Sequence, residues 1–92
     1  MKTIVQISLK RNDLKKLPKE IIIKLQYAVE LMQKSGIESL RKINGYNDEK
    51  LSGERSGQRS FRLNRSWRAI YEENITGEIT LVDIVEVNKH KY

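Results

Sequence analysis

The stretch "SFRLNRSWRAIYEENITGEITLVDIVEV", residues 60–87, decides the fold. Side chains alternate between the two faces of a strand, so apolar residues two apart mark one face. Ser60 to Leu63 and Trp67 to Glu73 both read this way, joined by a short turn near Asn64-Arg65-Ser66. A longer hairpin loop, Glu73-Asn74-Ile75-Thr76-Gly77-Glu78, leads into "EITLVDIVEV" (78–87), β-branched and apolar on both faces as an interior strand is. The expectation is an antiparallel meander.

Upstream, Ile4, Val5, Ile7 and Leu9 predict a first strand over Thr3 to Leu9, which "RNDLKKLPKE" (11–20) breaks. Pro18, the one proline, suits the first turn of a helix, where its missing N–H is no loss. Ile21, Ile22, Leu25, Ala28, Val29 and Met32 then recur at helical spacing up to Ser35-Gly36, a natural C-cap. Ile37 to Ile43 predict a short second helix with Leu40 and Ile43 inward, and "NGYNDEKLSGERSGQ" (44–58) reads as a polar surface loop. The predicted architecture is α+β: one compact domain over residues 1–92, its N-terminal strand and helices packed on one face of an antiparallel β-sheet.

Composition narrows the function. Eighteen Lys and Arg against twelve Asp and Glu give a net charge of +6 and a pI near 9.7, which favours a polyanionic partner. Without cysteine there is no disulfide framework, thiolate zinc site or Cys nucleophile, and His90 is the lone histidine. Neither a metal site nor a cofactor is expected. No apolar run approaches the roughly 18 residues of a membrane span, and "MKTIVQISLKRND" has no uninterrupted signal-peptide core. The expected setting is the cytoplasm, away from membranes.

Residues 55–68, "RSGQRSFRLNRSWR", hold five arginines and no acid. Period two puts Phe61 and Leu63 on one face of their strand and Ser60 and Arg62 on the other. In the next strand Trp67, Ala69 and Tyr71, read as core, oppose Arg68, Ile70 and Glu72. With the apolar sets against the helix, Arg62 and Arg68 are expected to project from the open face. Arg59 at the strand start and Arg65 in the turn would rim it, and Lys89, His90, Lys91 and Tyr92 would follow the last strand beside it. The plainer reading is a solvated face whose arginines pair with scattered acids such as Glu72. Against it stand the unbroken sign, which repels unless an anion offsets it, and the arginine fork, which suits a phosphodiester.

Residues 51–71, "LSGERSGQRSFRLNRSWRAIY", followed by a β-rich segment and a tail "VNKHKY", resemble the RelE/ParE superfamily of bacterial type II toxins, especially its HigB-like and RelE-like members. The pattern is a Leu-x-Gly-x-Arg-x-Gly loop, a strand, an aromatic-Arg pair entering the next strand, and a closing strand with a short His/Tyr tail. The resemblance implies a ribosome-dependent endoribonuclease that cuts translated mRNA and is neutralised by a cognate antitoxin. A ParE-like toxin that inhibits DNA gyrase by binding is the alternative. A basic RNA-binding module without catalysis is a third reading. By resemblance Arg68 contacts the scissile phosphate with Arg62 near it, and His90 and Tyr92 are the tail groups of the site. Arg55, Arg59, Arg65, Lys89 and Lys91 are then the cations for RNA or ribosome. HigB-like tails often read Asp-Tyr-His whereas this one reads His-Lys-Tyr, so general acid and base stay unassigned.

Cleaving RNA through its own 2′-OH needs a base for that hydroxyl, cations for the phosphorane and an acid for the departing 5′-oxygen. Arginine supplies charge but no proton transfer. His90 is the one side chain that ordinarily titrates near neutrality, and Glu86 is a remote candidate base.

Overall fold

The structure, a computed structural model, describes residues 2–89. Five strands form one sheet: β1 (Lys2–Ile7), β2 (Glu49–Lys50), β3 (Gln58–Arg62), β4 (Trp67–Thr76) and β5 (Ile79–Lys89), in the order β1-β5-β4-β3-β2. β2 to β5 run antiparallel, as the meander reading requires. β1 departs from it by pairing parallel to β5, from Lys2↔Ile79 to Ile7↔Ile84, so the sheet is mixed. The reason lies in the connection. The helices carry the chain from β1 to β2 at the opposite edge, antiparallel to β1, and the three antiparallel steps from β2 to β5 then bring β5 back beside β1 in the same direction. β5, flanked by β1 and β4, is the interior strand its two-sided apolar pattern predicts.

Helix α2 (Lys19–Ser35) buries Ile21, Leu25, Ala28 and Met32, a stripe with intervals of four, three and four. Pro18 caps its start, its carbonyl accepting from the amides of Ile21 and Ile22 at 2.9 and 3.1 Å. Gly36 ends it at φ +87°, and an added Cβ there would stand 2.9 Å from Glu38 Oε2. The chain can therefore swing directly into α3 (Ile37–Arg41), which buries Ile37 and Leu40. Ile43, expected inward, is 44 % exposed because the helix stops two residues before it. A short helix α1 (Arg11–Lys15) occupies part of the segment read as a break, and it buries no residue of its own.

Against α2 and α3 lie Phe61, Leu63, Ala69, Tyr71, Val82, Ile84 and Val87, all buried in one core. Trp67 packs partly buried at its edge, and the Phe61 and Tyr71 rings meet at 5.8 Å. Membership of this core thus follows the predicted parity in β3 and β4, although Ser60, Arg68 and Ile70 are buried on the opposite face as well. In β5 the parity changes once. Tyr71 pairs with Ile84 but Ile70 with Glu86, so Val85 is an extra residue, a β-bulge. Without it, strict alternation after Val82 and Ile84 would bury Glu86 and expose Val87. With it, Val87 reaches the core and Glu86 and Asn88 face away from the helices. No helix among the described residues is long and apolar enough to cross a membrane.

Candidate functional site

On the sheet face away from the helices, Arg68 forms the floor of a cleft of about 340 Å³. β2, β3, β4 and β5 each contribute: Glu49, Ser60, Arg68 with Ile70, and Asn88 with Lys89, while Leu51 and Arg55 close the side. Arg68 does not project from this face as expected. Its side chain is only 11 % exposed and lies along the sheet. Nε and Nη2 donate to Ser60 Oγ at 3.1 and 2.8 Å, and Nη2 also donates to the Asn47 carbonyl at 3.0 Å. Glu49, 56 % exposed, brings Oε1 to 3.4 Å from the same Nη2. A guanidinium whose orientation is fixed by neutral acceptors, with one half-exposed carboxylate beside it, is a preorganised cation next to a possible proton acceptor.

The three-dimensional arrangement has solved counterparts, although no family model and no curated protein matches the chain. The E. coli DinJ–YafQ toxin–antitoxin complex aligns with 22% identity and a TM-score of 0.70, over 98% of this chain and 94% of that one. A YoeB/ParE toxin from Agrobacterium tumefaciens aligns with 12% identity and a TM-score of 0.66, over 94% and 99%. The YoeB–YefM complex from Staphylococcus aureus aligns with 19% identity and a TM-score of 0.64, over 97% and 99%. The fold is that of the RelE/ParE-type toxins. At these identities the fold is what is shared.

Within this toxin fold the five arginines separate into two groups. Arg55, Arg59 and Arg68 have carboxylate partners supplied from outside their own run: Glu86, Asp48 and Glu49. Acids therefore pair these three, but only Arg55 does so on a solvated face, and Glu72 is not among the partners. Glu72 instead accepts from Gln58 Nε2 at 3.1 Å. Arg59 does not rim the open face. It pairs with Tyr71 across the β3–β4 ladder, two residues before Phe61, and so turns to the helix side, where Nε and Nη2 hold Asp48 at 2.7 and 2.6 Å. Arg55 does reach the open face, in a salt bridge with Glu86.

Arg62 sits opposite Arg68 in the ladder, so the predicted parity is right, yet it does not line the Arg68 cleft. At the end of β3 it borders a second hollow with Lys24, Tyr27, Ile43 and Tyr46. Arg65 is exposed at the tip of a turn that Asn64 stabilises, its Oδ1 accepting from the amides of Ser66 and Trp67 at 2.8 and 2.9 Å. Lys89 lines the cleft where β5 ends. His90, Lys91 and Tyr92 lie outside the described residues.

Sequence reading missed Asn47, Asp48 and Glu49, which it placed in a featureless loop. Two of them form the short strand end and turn that meet Arg68, and the third is the buried partner of Arg59. The available signal was charge: "NDE" (47–49) stands shortly upstream of a run of cations that has no acids of its own. Glu86, once a remote candidate base, is held below the usual carboxylate range by the hydrogen bond from Arg55. That makes it a poor proton acceptor.

Proposed function

We propose that this chain is the toxin of a toxin–antitoxin pair, a cytoplasmic endoribonuclease that cleaves mRNA on the ribosome and is held in check by a cognate antitoxin. One observation carries the reading: on a RelE/ParE-type fold, Arg68 is locked along the floor of an open cleft with Glu49 at 3.4 Å. In this reading a phosphate enters over Arg68, whose guanidinium stabilises the charge of the phosphorane. Glu49 accepts the 2′-OH proton, and His90 or Tyr92, following Lys89 at the cleft edge, donates to the leaving 5′-oxygen. Arg62, Arg65, Lys89 and Lys91 contribute the surrounding positive field. So small a set of acid and base groups suffices if the ribosome orients the message.

Primer extension on ribosomes programmed with a defined mRNA tests this. Wild type should cut only when ribosomes are present. Arg68→Lys and Glu49→Gln should each lower the cleavage rate by about a hundredfold, the first by disturbing a transition-state donor and the second by removing the general base. A chain that never cleaves mRNA but blocks gyrase supercoiling would instead be a ParE-like toxin.

A further inference from the structure

The segment that meets Arg68 is itself held from the far side of the sheet. Asn47 and Glu49 touch Arg68, and Asp48 between them points the opposite way, its side chain 1% exposed. β2 is only two residues long, with ladder pairs Glu49↔Ser60 and Lys50↔Arg59, so backbone pairing alone is a thin tether. Asn47 moreover sits at φ +44°, in the left-handed region that asparagine tolerates better than other side chains, so the turn there is held by its contacts rather than by a ladder.

Those surroundings converge on one carboxylate. Asp48 Oδ1 accepts from Arg59 at 2.6 and 2.7 Å, Oδ2 accepts from the Tyr71 hydroxyl, and Arg41 Nε stands 3.8 Å away, buried and without a hydrogen-bond partner. Arg41 is fixed in turn by Glu73 at 2.7 Å. Two guanidinium groups face two carboxylates in this cluster, so neutralising Asp48 leaves a surplus cation in a largely buried place.

We propose that Asp48 is the positioning residue for Arg68, a carboxylate on the helix side of the sheet that sets, through its two chain neighbours, the orientation of the guanidinium on the cleft side. Asp48 has no route to substrate. Its effect on cleavage rests on the proposed function, whereas its effect on Arg68 does not.

The test reads Arg68 directly. In uniformly ¹⁵N-labelled full-length protein, the Arg68 Nε–Hε group, bonded to Ser60, should exchange slowly with solvent. In Asp48→Asn that exchange should accelerate on the order of tenfold while the β4 and β5 backbone amides remain protected. Glu73→Gln, which disturbs the outer pair of the same cluster, should leave Arg68 exchange at its wild-type rate. If Asp48→Asn does not fold, Arg59→Gln, which loosens the same carboxylate, carries the measurement. Unchanged Arg68 exchange, or equal acceleration in Glu73→Gln, overturns the proposal.

On programmed ribosomes Asp48→Asn should lose about a hundredfold in kcat with KM unchanged, because the rim cations stay while the reacting geometry shifts. A wild type that does not cleave, together with accelerated Arg68 exchange in Asp48→Asn, would remove the nuclease reading and leave the positioning role standing.

Discussion

Truncating Arg68 would change two things at once. It removes the cation of the cleft, and it strands Ser60 Oγ, which is nearly fully buried, and the Asn47 carbonyl. Arg68→Ala should therefore cost about 1–3 kcal/mol of stability besides its effect on function, and a growth assay alone would mislead. Arg68→Lys keeps the charge but cannot serve Ser60 and Asn47 together through a planar fork, so it separates the two effects when a thermal melt accompanies the assay. Tyr71 makes a second residue-level prediction. Burial, reinforced by the bond donated to Asp48, holds its phenol well above the ordinary tyrosine range. A raised folded pKa gives stability that is complete below the unfolded value of about 10 and is lost as pH rises above it. Tyr71→Phe should be less stable at neutral pH, and its melting temperature should fall less steeply than wild type between about pH 10 and 12. At this scale alternation told which face a side chain takes but not how deep it lies. Arg62 and Arg68 share a face as predicted, yet only the ladder partners and the incoming Asn47 carbonyl determine that Arg68 lies flat. Arg59 was legible by the same rule, since it stands two residues before Phe61.

Among the elements, the meander and α2 were readable because each carries a long apolar pattern of one period. β1 was readable as a strand but its parallel partner was not, since pairing partners across more than seventy residues leave no local mark. β2 was illegible for a different reason. Two polar, exposed residues have no periodicity, and they become a strand only because β3 offers an edge. The bulge in β5 lies between these cases: "DIVEV" contains the change of phase, but only the pairing of Ile70 with Glu86 reveals which residue is extra. Deleting Val85 tests its role. Val82, Ile84 and Val87 would keep their core phase, so far-UV circular dichroism should stay close to wild type. Asn88 would stay opposite Arg68 in the ladder, but the straightened strand would lose the local bend and twist that set how Asn88 and Lys89 face the cleft, and cleavage on ribosomes should fall. Wild-type cleavage by the deletion variant would separate the bulge from the site.

For the whole molecule, the net charge of +6 overstates some local fields and understates others. Arg55 is matched by Glu86 and Arg59 by Asp48, whereas Arg62 and Arg65 have no ion-pair partner among the described residues. A polyanion meets the unmatched cations first. Glu86→Gln should release Arg55 to the open face, tightening binding to single-stranded RNA and making the slope of log affinity against log salt more negative by about 0.7. Filter binding across a salt series measures this, and an unchanged slope would mean that Arg55 does not reach the RNA. The order of strands carries one more consequence, and it concerns biosynthesis. β5, an interior strand of the sheet, is the last of the five to be made, and β1, the first, pairs only with it. A nascent chain that has not yet extruded Ile79 to Lys89 can assemble neither the sheet nor the wall of the cleft formed by Asn88 and Lys89. A newly made copy therefore has no complete cleft with which to carry out the proposed activity until this last interior strand has left the exit tunnel.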